Sequence, residues 1–173
     1  TVALRPHLVW GIEDPHIIPR IISRAKAGRL RVIGDGQNEV DITHVENAAQ
    51  AHLNAIDALI EERTGGRAYF ISQGQPVKLW EWINTLLEGV RVDPIEKRIP
   101  VKSAYEIGRV LEGVWKTFRL GGEPPMTRFV ALQLGKSHYF SIDAAKNELG
   151  YEPSLSTEEG LARVIEYRRS NPK

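Results

Sequence analysis

The sequence predicts an α/β protein on three observations: short apolar runs rich in β-branched residues, longer segments whose apolar residues recur at helical spacing, and glycine or proline between them. The tally is two or three strands against about six helices. So few strands cannot cover that much apolar helix surface. The expectation is therefore a helix-rich portion of a larger fold whose N-terminal sheet is missing from the chain.

The elements follow in order. Residues 2–9 form an apolar run interrupted by Arg5, Pro6 and His7, and Pro6, lacking an N–H, marks a strand edge or the exit from a sheet. Asp14-Pro15 opens a helix in which Ile17, Ile18, Ile21, Ile22 and Ala25 recur, and Gly28 ends it. Residues 30–33 read as a short strand before the Gly34-Asp35-Gly36 turn, and residues 40–43 as a brief extended piece. The helix predicted over 45–60 is crowded with Ala48, Ala49, Ala51 and Ala55, small enough to let it lie close on a sheet. A strand over 68–72, a helix over 79–87 with Trp80 and Trp82, and an extended piece over 99–101 come next. A long amphipathic helix covers 103–120, followed after Pro124-Pro125 by helices over 126–134 and 142–149, with an extended 138–140 between them. Ser156 and Glu159 form a capping box that starts the last helix.

The 173 residues suit one domain with a core of its own. With 23 basic and 22 acidic residues the formal charge is +1, so no global field points to nucleic acid. The absence of cysteine excludes a disulfide scaffold, a thiolate metal site and a cysteine nucleophile, and fits a cytoplasmic protein. No stretch has the apolar length of a membrane-spanning helix, and no charged-then-apolar leader opens the chain, which begins inside a strand-like run and reads as cut from something longer.

Binding a dinucleotide needs a glycine-rich strand-to-helix turn, because backbone amides must approach the pyrophosphate. No such spacing exists, and Gly34-Asp35-Gly36 puts an acid where phosphate would be repelled. His44, His52 and His138 lie on unlike elements without the spacing of a metal helix, so no metal site is expected. Tyr105 and Arg109 stand one helical turn apart, but arginine cannot release a proton usefully, so a packing or surface role is expected. Ligands of open α/β sheets bind beyond the carboxyl ends of strands, which makes Pro6 through Gly11 the best placed functional segment. The basic residues Arg109, Lys116 and Arg119 opposite the apolar stripe of 103–120 leave packing as the leading reading of that helix and peripheral membrane contact as a minor one.

Taken together, Leu4-Arg5-Pro6-His7-Leu8-Val9-Trp10-Gly11, Pro19, Gly28, Ile33-Gly34-Asp35-Gly36, Asp41-Ile42-Thr43-His44-Val45-Glu46-Asn47, Ala49 and Ala55 resemble the later half of the extended short-chain dehydrogenases. The branch it most resembles holds the NAD-dependent epimerase/dehydratases and the 3β-hydroxysteroid (sterol) dehydrogenases. Ala144-Ala145-Lys146, Leu149-Gly150-Tyr151 and Pro153 look like that family's closing motif, so the resemblance spans nearly the whole chain.

The resemblance implies a Rossmann-like fold in which 1–72 contributes the last sheet strands and a helix, while 73–173 forms a mostly helical substrate-side segment. It implies NAD or NADP in the full-length protein, with the glycine-rich loop and the catalytic Ser, Tyr and Lys in a missing N-terminal half, so that no catalytic residue is assigned and the chain by itself is expected to be inactive. Pro6, His7 and Leu8 would lie beside the nicotinamide, and Leu8, Trp10, Val40 and His44 would face substrate. Val40 stands where sugar-nucleotide relatives carry an arginine, and Leu8 where they often carry asparagine; valine cannot pair with a diphosphate. The implied substrate is therefore an apolar small molecule, sterol-like or a long-chain β-hydroxy or β-keto compound, handled by an oxidoreductase that forms a homo-oligomer or not. A nucleotide-sugar epimerase or dehydratase, and a non-catalytic binding module of the same fold, are the alternatives.

Overall fold

A computed structural model describes residues 1–171. The chain enters on β1 (Val2–Pro6), which pairs in parallel with β6 (Arg67–Ile71) from Val2 opposite Arg67 to Pro6 opposite Ile71. Proline ends the ladder as its missing N–H requires, and the next amide, of His7, donates to the Ile71 carbonyl at 3.2 Å. Leu8 then takes a left-handed backbone, φ 44°, which turns the chain into β2 (Val9–Trp10).

β2 pairs in parallel with β5 (Thr43–His44), β3 (Val32–Ile33) in parallel with β8 (Arg98–Ile99), and β4 (Glu39–Val40) antiparallel with β7 (Val77–Lys78). Helices α1 (Ile17–Lys26), α2 (Val45–Ile60), α3 (Leu79–Gly89), α4 (Val101–Phe118), α5 (Arg128–Gly135) and α6 (Thr157–Ser170) fill the intervals, with a π-helical turn at Ala145–Leu149. The expectation of a helix-rich C-terminal portion with its N-terminal sheet missing is corrected here. Among the described residues eight strands form four pairs, three of them parallel, and they carry cores of their own. Six of these strands are only two residues long, too short for an alternating pattern to register, so the strand count read from sequence was too low.

Two apolar clusters result. In the larger, Ile18 of α1 meets Leu86 and Leu87 of α3, with Trp10, Trp80, Trp82, Val40 and Val164 around them. Fully burying each such aliphatic side chain contributes about 1.5–3 kcal/mol. In the smaller, Ala51, Ala55 and Ala58 of α2 lie against Tyr69, Ile71, Leu149 and Tyr151. The alanine face thus packs on the β1–β6 pair, while the larger Leu53, Ile56 and Ile60 of the same helix are exposed. Gly108 does the same service for α4: a Cβ there would stand 2.5 Å from the Thr127 carbonyl carbon, at the start of α5.

Candidate functional site

Just past the carboxyl end of β1 lies a cavity of about 630 Å³. His7, Leu8 and Trp10 form one wall, α1 supplies Ile17, Arg20, Ile21 and Arg24, and α3 supplies Leu79, Trp80, Trp82 and Ile83. The Pro124-Pro125 loop and α5, through Phe129 and Val130, complete it. Trp80 donates its indole N–H to the Leu134 carbonyl at 3.0 Å, tying α3 to α5. No helix of the described residues is long and apolar enough to cross a membrane.

His7 is positioned by Asp41. The His7 Nδ1–H donates to the Asp41 carbonyl at 2.9 Å, and the ring meets His138 edge-on at 5.0 Å and Phe140 at 5.8 Å. Burial pulls the His7 pKa below its usual 6.5, opposed by the Asp41 hydrogen bond and assisted by the charge of His138. A neutral imidazole with Nδ1 protonated keeps Nε2 as an acceptor. The Asp41 carboxylate in turn accepts from the Phe140 amide at 2.6 Å, which holds the 138–140 segment behind His7.

Trp10 is buried, its indole edge-on to His44 at 5.0 Å and to Trp82 at 5.1 Å. Behind it, Gly160 of α6 comes so near that a Cβ would reach 3.1 Å from Trp10 Cη2 and 2.8 Å from His44 Cδ2. His44 is fully buried and caps α2, its Nδ1 accepting from the Glu46 amide at 3.3 Å. Burial lowers the His44 pKa, opposed by Glu46 and reinforced by Arg163.

Of the residues singled out from sequence, His7, Leu8 and Trp10 come together on the cavity wall. Pro6 is exposed at the end of β1, outside that wall. Val40 is fully buried opposite Val77, and His44 supports Trp10 from behind rather than facing the cavity. Sequence reasoning missed Arg20, Arg24, Trp80, Trp82 and Phe129 as wall residues. The signal for the arginines was present: Ile17, Arg20, Ile21 and Arg24 follow the spacing of one helix face.

A dinucleotide's pyrophosphate needs free amides at a helix start. At α1 these are taken by Asp14, whose Oδ1 accepts from His16 and Ile17 and whose Oδ2 accepts from Ile18, at 2.8, 3.2 and 2.7 Å. His44, Thr127 and Ser156 likewise occupy the starts of α2, α5 and α6. The amides at these four helix starts are thus engaged by the chain's own side chains, whereas the starts of α3 and α4 carry no side-chain cap.

Parallel strand pairs flanked by helices, with a cavity outside the strand ends, define an α/β Rossmann-like fold of the class used by NAD(P)-binding dehydrogenases and epimerases. The 3-beta hydroxysteroid dehydrogenase/isomerase family matches over residues 1–101, and the chain belongs to that family. It is 48% identical over 165 residues to 2-alkyl-3-oxoalkanoate reductase of Stenotrophomonas maltophilia, covering 95% of this chain and 50% of that protein. It is 43% identical over 166 residues to the Shewanella oneidensis protein of the same description, covering 95% of this chain and 43% of that one. The chain thus spans about half the length of these curated relatives. The crystal structure of UDP-glucuronic acid 4-epimerase from Bacillus cereus in complex with NAD matches in fold, with a TM-score of 0.62 at 18% identity, covering 99% of this chain and 45% of that one. The resemblance to extended short-chain dehydrogenases is thus one of fold and family. The further reading of a C-terminal half without its sheet gives way to the internal strand pairing.

Proposed function

We propose that the chain is part of an NAD(P)-dependent oxidoreductase that acts on the keto or hydroxyl group of an apolar long-chain substrate, of the β-keto acid kind. The observation that carries this is the cavity itself, walled by Leu8, Trp10, Leu79, Trp80 and Ile83 beside the end of β1. Its two relatives named as 2-alkyl-3-oxoalkanoate reductases favour an alkyl keto acid over a sterol. Val40, buried where a diphosphate-binding arginine would be needed, speaks against a nucleotide sugar. When bound, the nicotinamide supplies the hydride. Pro6, His7 and Leu8 are the segment that would face it, with neutral His7 offering Nε2 as an acceptor and Leu8 keeping water from the wall.

The test is turnover by the full-length protein with a 2-alkyl-3-oxoalkanoate and NADH or NADPH, followed by the nicotinamide absorbance. Loss of that absorbance is expected, with Leu8→Glu raising KM by about tenfold or more because a charge is forced into an apolar wall. No turnover of keto acids, together with turnover of a sterol or a nucleotide sugar, would overturn the substrate assignment.

A further inference from the structure

Most of the cavity wall is carbon, and two cations interrupt it. Arg20 and Arg24 stand one turn apart on the face of α1 that also brings Ile17 and Ile21 to the cavity. Like charges at this spacing oppose each other, and Arg24 is lowered in pKa by burial first and by Arg20 second. Among the described residues neither arginine joins an ion pair. Arg24 donates from Nη2 to the Pro125 carbonyl at 3.1 Å, which fixes its guanidinium against the loop and leaves other N–H groups unused. Glu123 also borders the cavity and pairs with neither.

A cation near the end of a helix ordinarily answers the helix dipole. Arg24 and Lys26 both stand in the last turn of α1, but only Arg24 lines this cavity, and the dipole asks nothing of Arg20 in mid-helix. Two unpaired guanidiniums at one side of an apolar chamber instead match a ligand with an anionic head and an alkyl body.

We propose that Arg20 and Arg24 form a carboxylate-anchoring subsite, which holds the acid group of the substrate while its alkyl chains lie against Leu79, Trp80 and Ile83. This rests on the keto-acid reading above and adds the residues that select an acid over a neutral sterol. A carboxylate accepts parallel N–H bonds from a guanidinium, and the surrounding apolar wall strengthens them by excluding water.

The experiment is a titration of the protein with decanoate and with methyl decanoate, read by tryptophan fluorescence, since Trp10, Trp80 and Trp82 line the cavity. Decanoate is expected to bind more tightly than its ester, with an affinity that falls as salt is raised. Arg20→Gln and Arg24→Gln are each expected to weaken decanoate by about tenfold or more and to leave the ester unchanged, while Arg24→Lys recovers part of the loss. Equal affinity for acid and ester, or equal weakening of both in the glutamine variants, overturns the subsite. The functional reading fails in a different way: arginine-dependent decanoate binding without reduction of any 3-oxoalkanoate keeps the anchor and removes the reaction. Reduction whose KM is indifferent to both substitutions does the reverse.

Discussion

His7 and His44 are both kept uncharged by the fold, and for the same first reason, burial. Both folded pKa values lie below 6.5, the value the unfolded chain takes. As pH falls below 6.5 the unfolded chain therefore binds protons before the folded one does, and stability drops. Above that pH both states are neutral at these rings and the stabilisation is fully present. A melting temperature that declines on acidification below 6.5, and declines less steeply in His7→Asn, is the expected result; an identical acid-side slope in the variant would discharge His7 from the effect. That His7, Leu8 and Trp10 stand beside a cavity was legible from the strand-end rule alone. The supporting role of His44 was not, because a side chain that packs behind another leaves no trace in local spacing.

Helices were easier to read than strands, and the reason is length. The 16 residues of α2, Val45–Ile60, repeat the helical period often enough to mark both ends, and Ser156 accepts from the Glu159 amide at 3.1 Å as the capping box requires. Strands such as β4 and β7 hold two residues each and are defined only by distant partners, Glu39 opposite Lys78. What pins the helices to one another is also invisible to periodicity. Gly108 lets α4 touch the Thr127 and Arg128 backbone at the start of α5, where the listening atoms belong to main chain and cannot swing aside. Gly108→Ala is expected to cost about 1–3 kcal/mol in urea denaturation, despite alanine's better helix propensity. A variant at least as stable as the parent would mean that the two helices slide apart without penalty.

Across the molecule, Asn47 joins segments that sequence places far apart. Its amide N–H groups donate to Gln73 Oε1 at 2.6 Å and to the Leu155 carbonyl at 2.8 Å, and its Oδ1 accepts from the Ser154 and Leu155 amides at 3.1 Å each. Gln73 closes the set by accepting from the His44 amide at 3.1 Å and donating to Leu155 at 2.8 Å. Asn47→Ala strands several of these groups in the interior and is expected to cost about 2–4 kcal/mol, with earlier proteolysis near residues 152–156. A loss under about 1 kcal/mol would show that water takes over the bonds. The α/β class was readable from pattern, whereas the internal pairing of the strands was not, because each ladder is built from residues with no periodic sign of their own.

The contact between Gly160 and the back of Trp10 makes the contour of the chamber depend on the docking of α6. Without α6 the indole keeps His44 and Trp82 but loses its backing on the Gly160 side, and the chamber lacks its full contour. Any compound that fills it therefore favours the docked arrangement through mass action, so occupancy and completion of folding rise together.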